Sequence, residues 1–333
     1  MVRAIVLAGG PSSEHEISLL TSAALLRVLR AGGHAARPVW LDQDGGWHLG
    51  ADGDDVDAAM GRPGVEVAAA LDLISQTGEV VVVGLHGPFG EDGTLQRLLD
   101  DAAVPYTGSA SVASSVGMDK ELSKLAAMQV GARTARHHLV SGVNPPLLRI
   151  ARTVGYPCFV KPVSGGSSVG AGRVDSEEGL AAAVAHAQSE DPDGRALVEE
   201  WVGGEEVTCA VLRVDGELTV LPIVAIVPAK GFYDYHAKYE ASDTGFVCPA
   251  RISDAAASEI RGVATRLYEA LDLRGATRVD FLMPADDGAP VFLELNTLPG
   301  MTDHSLVPLA ARTAGLSPVQ LVDALLADAV RPA

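Results

Sequence analysis

Residues 277–300 read TRVDFLMPADDGAPVFLELNTLPG, and this stretch predicts two adjacent strands joined by a short Asp-Asp-Gly turn. Side chains on a strand alternate between its two faces, so Glu294 and Asn296 point one way while the leucines beside them point the other. Arg278 and Asp280 share a face for the same reason. Because the turn folds the two strands together, we expect these polar side chains to form one cluster.

The chemistry of this cluster indicates a divalent cation. Two carboxylates and an amide oxygen, without histidine or cysteine, suit a hard ion that also holds phosphate oxygens, namely Mg²⁺ or Mn²⁺. The predicted ligands are Asp280, Glu294 and Asn296. A solvated polar face of an edge hairpin is the alternative, but it does not explain Arg278 or the Pro299-Gly300 pair that follows.

A loop of small residues lies upstream at 161–170, KPVSGGSSVG, after a strand predicted at 158–162. Glycines allow backbone N–H groups to approach phosphates, and Lys161 adds positive charge. The order differs from a Walker A loop, in which lysine follows the glycines, and an ordinary turn is the alternative. Lys120 begins a predicted helix and is a second candidate, although a surface lysine is the simpler interpretation of that residue alone.

Residues 199–206, EEWVGGEE, contain a glycine hinge at the end of another predicted strand. Backbone groups at such a hinge can bind the edge of an adenine, and a carboxylate can bind ribose hydroxyls. An acidic surface hinge is an equally good interpretation from these residues alone.

Two N-terminal segments are expected to face one crevice above the strand ends, where ligands bind in α/β folds. Residues 12–16, SSEHE, follow the first predicted strand, and Ser13 with Glu16 forms a capping-box pattern. Glu16 is also the candidate for binding a substrate ammonium group. The loop at 86–93, HGPFGEDG, ends another central strand.

The order of strands and helices predicts a mixed α/β protein. Strands at 2–8 and 80–85, with a helix at 17–30 between them, indicate a doubly wound N-terminal domain followed by two smaller α+β units. The predicted domains are residues 1–117, 118–206 and 207–333.

The third unit is predicted to begin with a β-hairpin. Strands at 207–214 and 218–227 flank Asp215-Gly216, a strong turn signal. The polar segment 230–249 is too long for a simple connection, so we predict that it is a lid.

Composition excludes several classes of protein. The 333 residues carry 25 basic and 43 acidic side chains, a net charge of −18, whereas a protein that binds a phosphate backbone needs the opposite balance. Three widely spaced cysteines exclude a disulfide framework and a cysteine zinc site. The first apolar run is too short for a signal peptide and no stretch approaches a membrane span, so we expect a cytoplasmic protein without nucleic-acid or membrane partners.

Together, these segments resemble the D-alanine–D-alanine ligases of the ATP-grasp superfamily over nearly the whole chain. The matching segments are residues 10–18, 85–94, 106–109, 118–120, 161–170, 233–239, 278–280 and 294–302. The resemblance implies an ATP-grasp fold, in which a doubly wound α/β domain precedes two α+β subdomains that grip ATP. It also implies a homodimer that makes the dipeptide precursor of peptidoglycan.

The resemblance assigns a role to each matching residue. For ATP, the implied residues are Lys120, Lys161, Ser168, Glu199, Val202, Glu206 and Lys238, and for two Mg²⁺ or Mn²⁺ ions they are Asp280, Glu294 and Asn296. For the amino acids, they are Glu16, Ser167 and Tyr239 around the first D-alanine, Arg278 and Gly300 at the oxyanion, and Ser305 at the carboxylate of the second substrate.

Three rival functions follow from the same residues. A D-alanine–D-lactate or D-alanine–D-serine ligase is the nearest, and Tyr239 favours D-alanine because relatives that make the ester lack this tyrosine. A catalytically silent nucleotide-binding module is disfavoured because all the metal ligands and both phosphate lysines are present. A dinucleotide-binding oxidoreductase would need G-x-G-x-x-G after the first strand, and Gly9-Gly10-Pro11-Ser12 lacks it.

Overall fold

The computed structural model describes residues 1–142, 145–166, 169–227, 244–285 and 288–331. Within these residues the chain forms three sheets with helices packed against them. The mixed α/β class predicted from the sequence is therefore confirmed.

The first sheet has the strand order β4-β3-β2-β1-β5. Its strands are β1 (Arg3–Gly9), β2 (Ala35–Leu41), β3 (Trp47–Leu49), β4 (Gly64–Val65) and β5 (Val80–Val83). Its helices are α1 (His15–Ala31), α2 (Val56–Met60), α3 (Val67–Ser75), α4 (Thr94–Asp101) and α5 (Ser111–Met118). Because β1 pairs in parallel with both β2 and β5, the carboxyl ends of these strands open at the same edge.

Helices cover both faces of β1, as its unbroken apolar sequence predicts for a central parallel strand. Ile5 and Leu7 pack with residues of α3 and α4. Ala4 and Val6 pack with α1 and with the last helix, α11 (Pro318–Ala329). The C-terminal helix thus completes the core of the N-terminal sheet.

The second sheet is antiparallel, with the order β7-β10-β8-β9. The elements of this part are α6 (Lys120–Gln129), β6 (Arg133–Thr134), β7 (His137–Val140), α7 (Leu147–Val154), β8 (Cys158–Pro162), β9 (Gly172–Val174), α8 (Glu177–Glu190) and β10 (Ala196–Glu200). Strand β6 belongs to the third sheet, where it pairs with β16.

The third sheet has the order β14-β13-β11-β15-β16-β6, with β12 also paired to β11. Its strands are β11 (Gly204–Val214), β12 (Glu217–Val220), β13 (Val224–Val227), β14 (Gly245–Val247), β15 (Thr277–Pro284) and β16 (Val291–Asn296). Helices α9 (Asp254–Ala270) and α10 (Leu306–Thr313) pack against it together with α11.

Two predictions about the third unit need correction. The hairpin at Asp215-Gly216 is present, but its second strand is divided into β12 and β13, which pair with different parts of β11. The interruption includes Pro222, which has no N–H to donate to a ladder. Residues 230–243 of the predicted lid lie outside the described residues, and the end of the 230–249 segment includes β14, which pairs with β13 and is part of the sheet.

Across the part of the chain described, none of the helices has the length and apolar character needed to cross a membrane.

Candidate active site

The predicted polar cluster forms where β15 and β16 pair antiparallel. Asp280 lies directly opposite Glu294, and Arg278 lies opposite Asn296. The Arg278 guanidinium donates to both oxygens of Asp280, with Nε 2.9 Å from Oδ1 and Nη2 2.9 Å from Oδ2. Thr208 of β11 also donates its hydroxyl to Asp280, whose side chain is 1% exposed. The strands thus hold a buried carboxylate beside a partly exposed one.

The donor set of this cluster fits a hard divalent cation. Asp280, Glu294 and Asn296 offer oxygen atoms alone, which Mg²⁺ and Mn²⁺ prefer. Asn296 Oδ1 accepts a hydrogen bond from the Leu298 backbone N–H at 3.0 Å, which fixes the orientation of the amide. The residues described contain no group of three histidine, cysteine, aspartate or glutamate side chains placed to hold a metal, so this mixed carboxylate–amide set is the candidate.

A cavity of about 760 Å³ lies between the second and third sheets. It brings together five of the residues predicted to bind nucleotide, namely Lys120, Lys161, Glu199, Val202 and Glu206. Glu294 of the polar cluster also lines it. The phosphate-loop lysine, the hinge and one candidate metal ligand therefore share one chamber.

Glu199 is bound inside this chamber by two lysines. Its Oε2 lies 2.8 Å from Lys161 Nζ, and its Oε1 lies 2.7 Å from Lys124 Nζ. Burial by itself would raise the pKa of Glu199, but the two ammonium groups outweigh burial and lower the pKa to about 2. The carboxylate is therefore ionised and engaged on both oxygens.

Lys124 is a site residue that the sequence analysis missed. It lies one helical turn after Lys120 on α6 and is fully buried. Burial lowers its pKa, while the charge of Glu199 opposes that effect. The available signal was its spacing, because residues i and i+4 share one face of a helix.

Hydrogen bonds connect the start of the glycine loop to the start of α6. Lys120 Nζ donates to the Gly165 carbonyl at 2.8 Å. Arg195 donates to Asp119, the N-cap of α6, at 2.7 Å, and to Ser164 Oγ at 3.2 Å. These contacts position the loop and the helix relative to each other.

A second cavity, of about 330 Å³, opens beside the first. Lys120, Gly165, Gly166 and Glu294 line both cavities. Arg278, Asn296, Gly300 and Ser305 line the second, as do Glu14 and His86 from the N-terminal crevice. The polar cluster and the N-terminal loops thus surround one small space next to the larger chamber.

The structure does not support the position predicted for Glu16. Helix α1 begins at His15, one residue after Glu14, so the capping box predicted from Ser13 and Glu16 does not form. Glu16 is exposed in the first turn of α1, whereas Glu14 lines the second cavity. Of Glu14 and Glu16, it is therefore Glu14 that lines this cavity, as Glu91 of the crevice loop also does.

The Glu14 carboxylate lies close to two glycines, so a larger side chain at either position would require Glu14 to move. A Cβ atom on Gly87 would lie 2.7 Å from Glu14 Oε2, and one on Gly166 would lie 3.1 Å from the same oxygen. Gly87 also has φ +75°, which favours glycine. The carboxylate thus links the N-terminal crevice with the phosphate loop.

His86 is held by residues from three segments. Its Nε2 lies 2.8 Å from Thr21 Oγ1, and its Nδ1 lies 3.1 Å from Glu91 Oε1. Ser12 Oγ donates to the His86 carbonyl at 2.6 Å and accepts from the Glu14 N–H at 3.1 Å. The predicted crevice loop is therefore fixed to the segment that carries Glu14.

Ser305 and Gly300 lie close together in the lining of the second cavity. Ser305 immediately precedes α10, and its hydroxyl lies 2.8 Å from Thr302 Oγ1 and 3.1 Å from the Thr302 backbone N. A Cβ atom on Gly300 would lie 2.9 Å from Ser305 Oγ. A helix N-terminus and a hydroxyl are therefore available here for an anionic group.

Four predicted site residues, Ser167, Ser168, Lys238 and Tyr239, lie outside the described residues.

Similarity to known proteins extends over nearly all of the chain. The family model described as D-ala D-ala ligase N-terminus matches residues 3–109, and that described as D-ala D-ala ligase C-terminus matches residues 133–327. A D-alanine–D-alanine ligase from Ralstonia nicotianae is 38% identical over 97% of this chain and 90% of that protein. One from Anaeromyxobacter dehalogenans is 41% identical over 97% of this chain and 96% of that protein.

Two examples among solved structures show that the fold is similar over nearly the whole chain. The VanG D-Ala:D-Ser ligase from Enterococcus faecalis gives a TM-score of 0.82 at 29% identity, covering 99% of both chains. The D-alanine-D-alanine ligase from Coxiella burnetii gives a TM-score of 0.80 at 26% identity, covering 98% of this chain and 93% of that one.

Proposed function

The chain belongs to the D-alanine–D-alanine ligase family, ATP-dependent peptide-forming enzymes with the ATP-grasp fold, and we propose that its two cavities divide that reaction between them. The larger cavity takes ATP, and the smaller takes the two D-alanines. One observation carries this proposal, namely that Lys120 and Glu294 line both cavities. Groups at such a boundary can contact a phosphoryl group as it passes from nucleotide to amino acid.

In the larger cavity, Lys120 and Lys161 bind the phosphates, and Val202 and Glu206 bind adenosine. Support comes from the convergence of these residues on one chamber. Glu199 acts on the nucleotide through Lys161, because both of its oxygens are within ion-pair distance of lysines. Ser168 and Lys238 complete the phosphate contacts by resemblance to the family.

Asp280, Glu294 and Asn296 would hold the Mg²⁺ or Mn²⁺ ions, two in number by the family resemblance. When bound, these ions neutralise charge on the phosphates of ATP. Arg278 orients the buried Asp280 for this task through its two hydrogen bonds.

In the smaller cavity, the amino acids lie between opposite walls. Glu14 binds the ammonium group of the first D-alanine, with Ser167 and Tyr239 nearby by resemblance. Ser305 and the start of α10 bind the carboxylate of the second. Arg278 and Gly300 also line this cavity, and the Arg278 guanidinium and the Gly300 N–H stabilise the oxyanion.

The reaction follows from this arrangement in two steps. A carboxylate oxygen of the first D-alanine attacks the γ-phosphorus, and the bond from phosphorus to the oxygen that ADP retains breaks. The amine of the second D-alanine then attacks the acyl carbon, loses a proton, and expels phosphate as the peptide bond forms. Exclusion of water from the site during turnover would limit hydrolysis of the acyl phosphate.

We infer a homodimer in the cytoplasm from the family resemblance, with a role in making the dipeptide precursor of peptidoglycan. Mass analysis of the product formed from ATP with D-alanine, D-serine and D-lactate in competition tests the function. We expect D-alanyl-D-alanine as the main product, and no product without ATP. A predominant D-alanyl-D-serine or D-alanyl-D-lactate product would contradict the choice of second substrate.

The assignment of the larger cavity has a separate test. Lys161→Met should weaken ADP binding measured by calorimetry, because the variant loses a cation that faces the phosphates. Unchanged ADP affinity would show that this cavity does not hold the phosphates.

A further inference from the structure

Lys124 is a buried cation to which the family reaction as outlined above gives no task. Its side chain is 1% exposed, and its only ion-pair partner within 4 Å among the described residues is Glu199, at 2.7 Å. It lines the larger cavity together with Lys161. A well-packed apolar side chain in such a place is often as stable as a buried ion pair, so the conformational stability of the fold does not by itself account for a lysine here.

The geometry of the cluster explains how this lysine can affect Lys161. Glu199 and Lys161 lie on neighbouring strands, β10 and β8, and Lys124 approaches the same carboxylate from α6. Each carboxylate oxygen has a different lysine as its partner, at 2.7 and 2.8 Å. The cluster therefore places two lysines on one carboxylate, and its net charge is +1 when all three side chains are ionised.

That charge is unusual in its setting, because the chain as a whole carries −18. Without Lys124, Glu199 and Lys161 would form a neutral pair, and no further lysine among the described residues lies within ion-pair distance of the carboxylate. An anion entering the cavity would then compete with Glu199 for Lys161.

We propose that Lys124 is a positioning residue that balances Glu199 and so leaves the Lys161 ammonium group available to a nucleotide phosphate. This inference rests on the proposed function, in that it requires the phosphates of ATP to lie in the larger cavity. It differs from that proposal because Lys124 acts through Glu199 and Lys161.

The test measures ADP binding by calorimetry with the full chain, together with steady-state KM values for ATP and D-alanine. Lys124→Met should weaken ADP binding and raise the KM for ATP on the order of tenfold, as expected for losing one charge near a phosphate in a partly dry site. The KM for D-alanine should not change. Circular dichroism and urea unfolding verify that the variant folds, and Lys124→Gln removes the same charge should Lys124→Met fail to fold.

Arg136→Met is the matched control. Arg136 pairs with Glu200, the next residue of β10, at 2.6 Å, and it does not line the cavity. This variant removes one positive charge beside the same strand, so it should bind ADP like the wild type.

A double variant separates positioning from a purely structural role. If Lys124 acts by balancing Glu199, then Lys124→Met with Glu199→Gln should bind ADP more tightly than Lys124→Met alone, because the competing carboxylate is gone. A Lys124 variant that binds ADP like Arg136→Met while Lys161→Met weakens binding would overturn the inference and leave the proposed phosphate site standing. Unchanged binding in both lysine variants would overturn the proposed site itself.

Discussion

Arg278 and Asp280, two residues apart on β15, form a two-point ion pair in which the guanidinium donates to both carboxylate oxygens at 2.9 Å. Asp280 is buried, while Arg278 reaches the smaller cavity. One side chain therefore forms an ion pair with a buried candidate metal ligand and also lines the smaller cavity. The pairing links the metal cluster to the place where peptide bond formation is proposed.

This pairing predicts the effect of Arg278→Lys. A lysine keeps the charge but cannot make the two-point contact or present the same donors to an oxyanion. We expect the turnover number to fall on the order of 10²–10³, as when an oxyanion donor is removed. Phosphate release with D-alanine measures the effect. Arg213→Lys is the control, since Arg213 lies on β11 and bonds the hairpin carbonyl of Gly216. Wild-type turnover in Arg278→Lys would argue against the oxyanion role.

We expect Glu294→Gln to abolish turnover without lowering the conformational stability of the protein. An amide cannot supply the negative charge that a metal-binding carboxylate provides, so we expect turnover to be abolished even at saturating Mg²⁺. Glu294 lies directly opposite Asp280, and like charges in that position are destabilising. The variant should therefore unfold in urea at the same or a higher concentration than the wild type. Glu217→Gln, exposed at the start of β12, is the control. Near-normal turnover in Glu294→Gln would contradict the metal assignment.

A matched pair of variants tests the carboxylate of the N-terminal crevice. Glu14→Gln should raise the KM for D-alanine strongly, because the amide loses the charge attraction to an ammonium group. Glu16→Gln, two residues away and exposed, should behave like the wild type. Steady-state kinetics at saturating ATP provide the comparison. A KM effect confined to Glu16→Gln would favour the position first predicted from the sequence.

Arg195→Met tests the contacts that Arg195 makes with the start of α6 and with the glycine loop. The variant removes the guanidinium that lies 2.7 Å from the Asp119 carboxylate and 3.4 Å from the buried Asp191 carboxylate, and Asp191 keeps its hydrogen bonds from backbone N–H groups. We expect the free energy of unfolding to fall by about 1–3 kcal/mol, the range for unsatisfied buried polar groups. Urea unfolding measures this change in the free energy of unfolding. Arg27→Met removes an exposed ion pair with Asp303 and should have little effect. Equal stability of the two variants would show that the Arg195 contacts do not stabilise the fold.

Local sequence patterns determined much of the candidate site. The alternation of side chains along a strand placed Arg278 with Asp280 and Glu294 with Asn296, and pairing of the two strands followed from the short connection between them. Strand β8 was predicted with its observed bounds, which set Lys161 at the edge of the glycine loop. These results needed only the period of a strand and the chemistry of short turns.

Contacts between distant segments decided the rest. The choice of Glu14 over Glu16 depends on where α1 begins and on Ser12, which bonds both the Glu14 N–H and the carbonyl of His86. Helical spacing relates Lys124 to Lys120, but its burial and its ion pair with Glu199 depend on how α6 packs against other segments of the chain. The face of a strand or helix on which a side chain lies is a local property of the backbone, so the sequence alone determined it. The burial and the partners of a side chain depend on which elements pack together, so only the tertiary structure decided them.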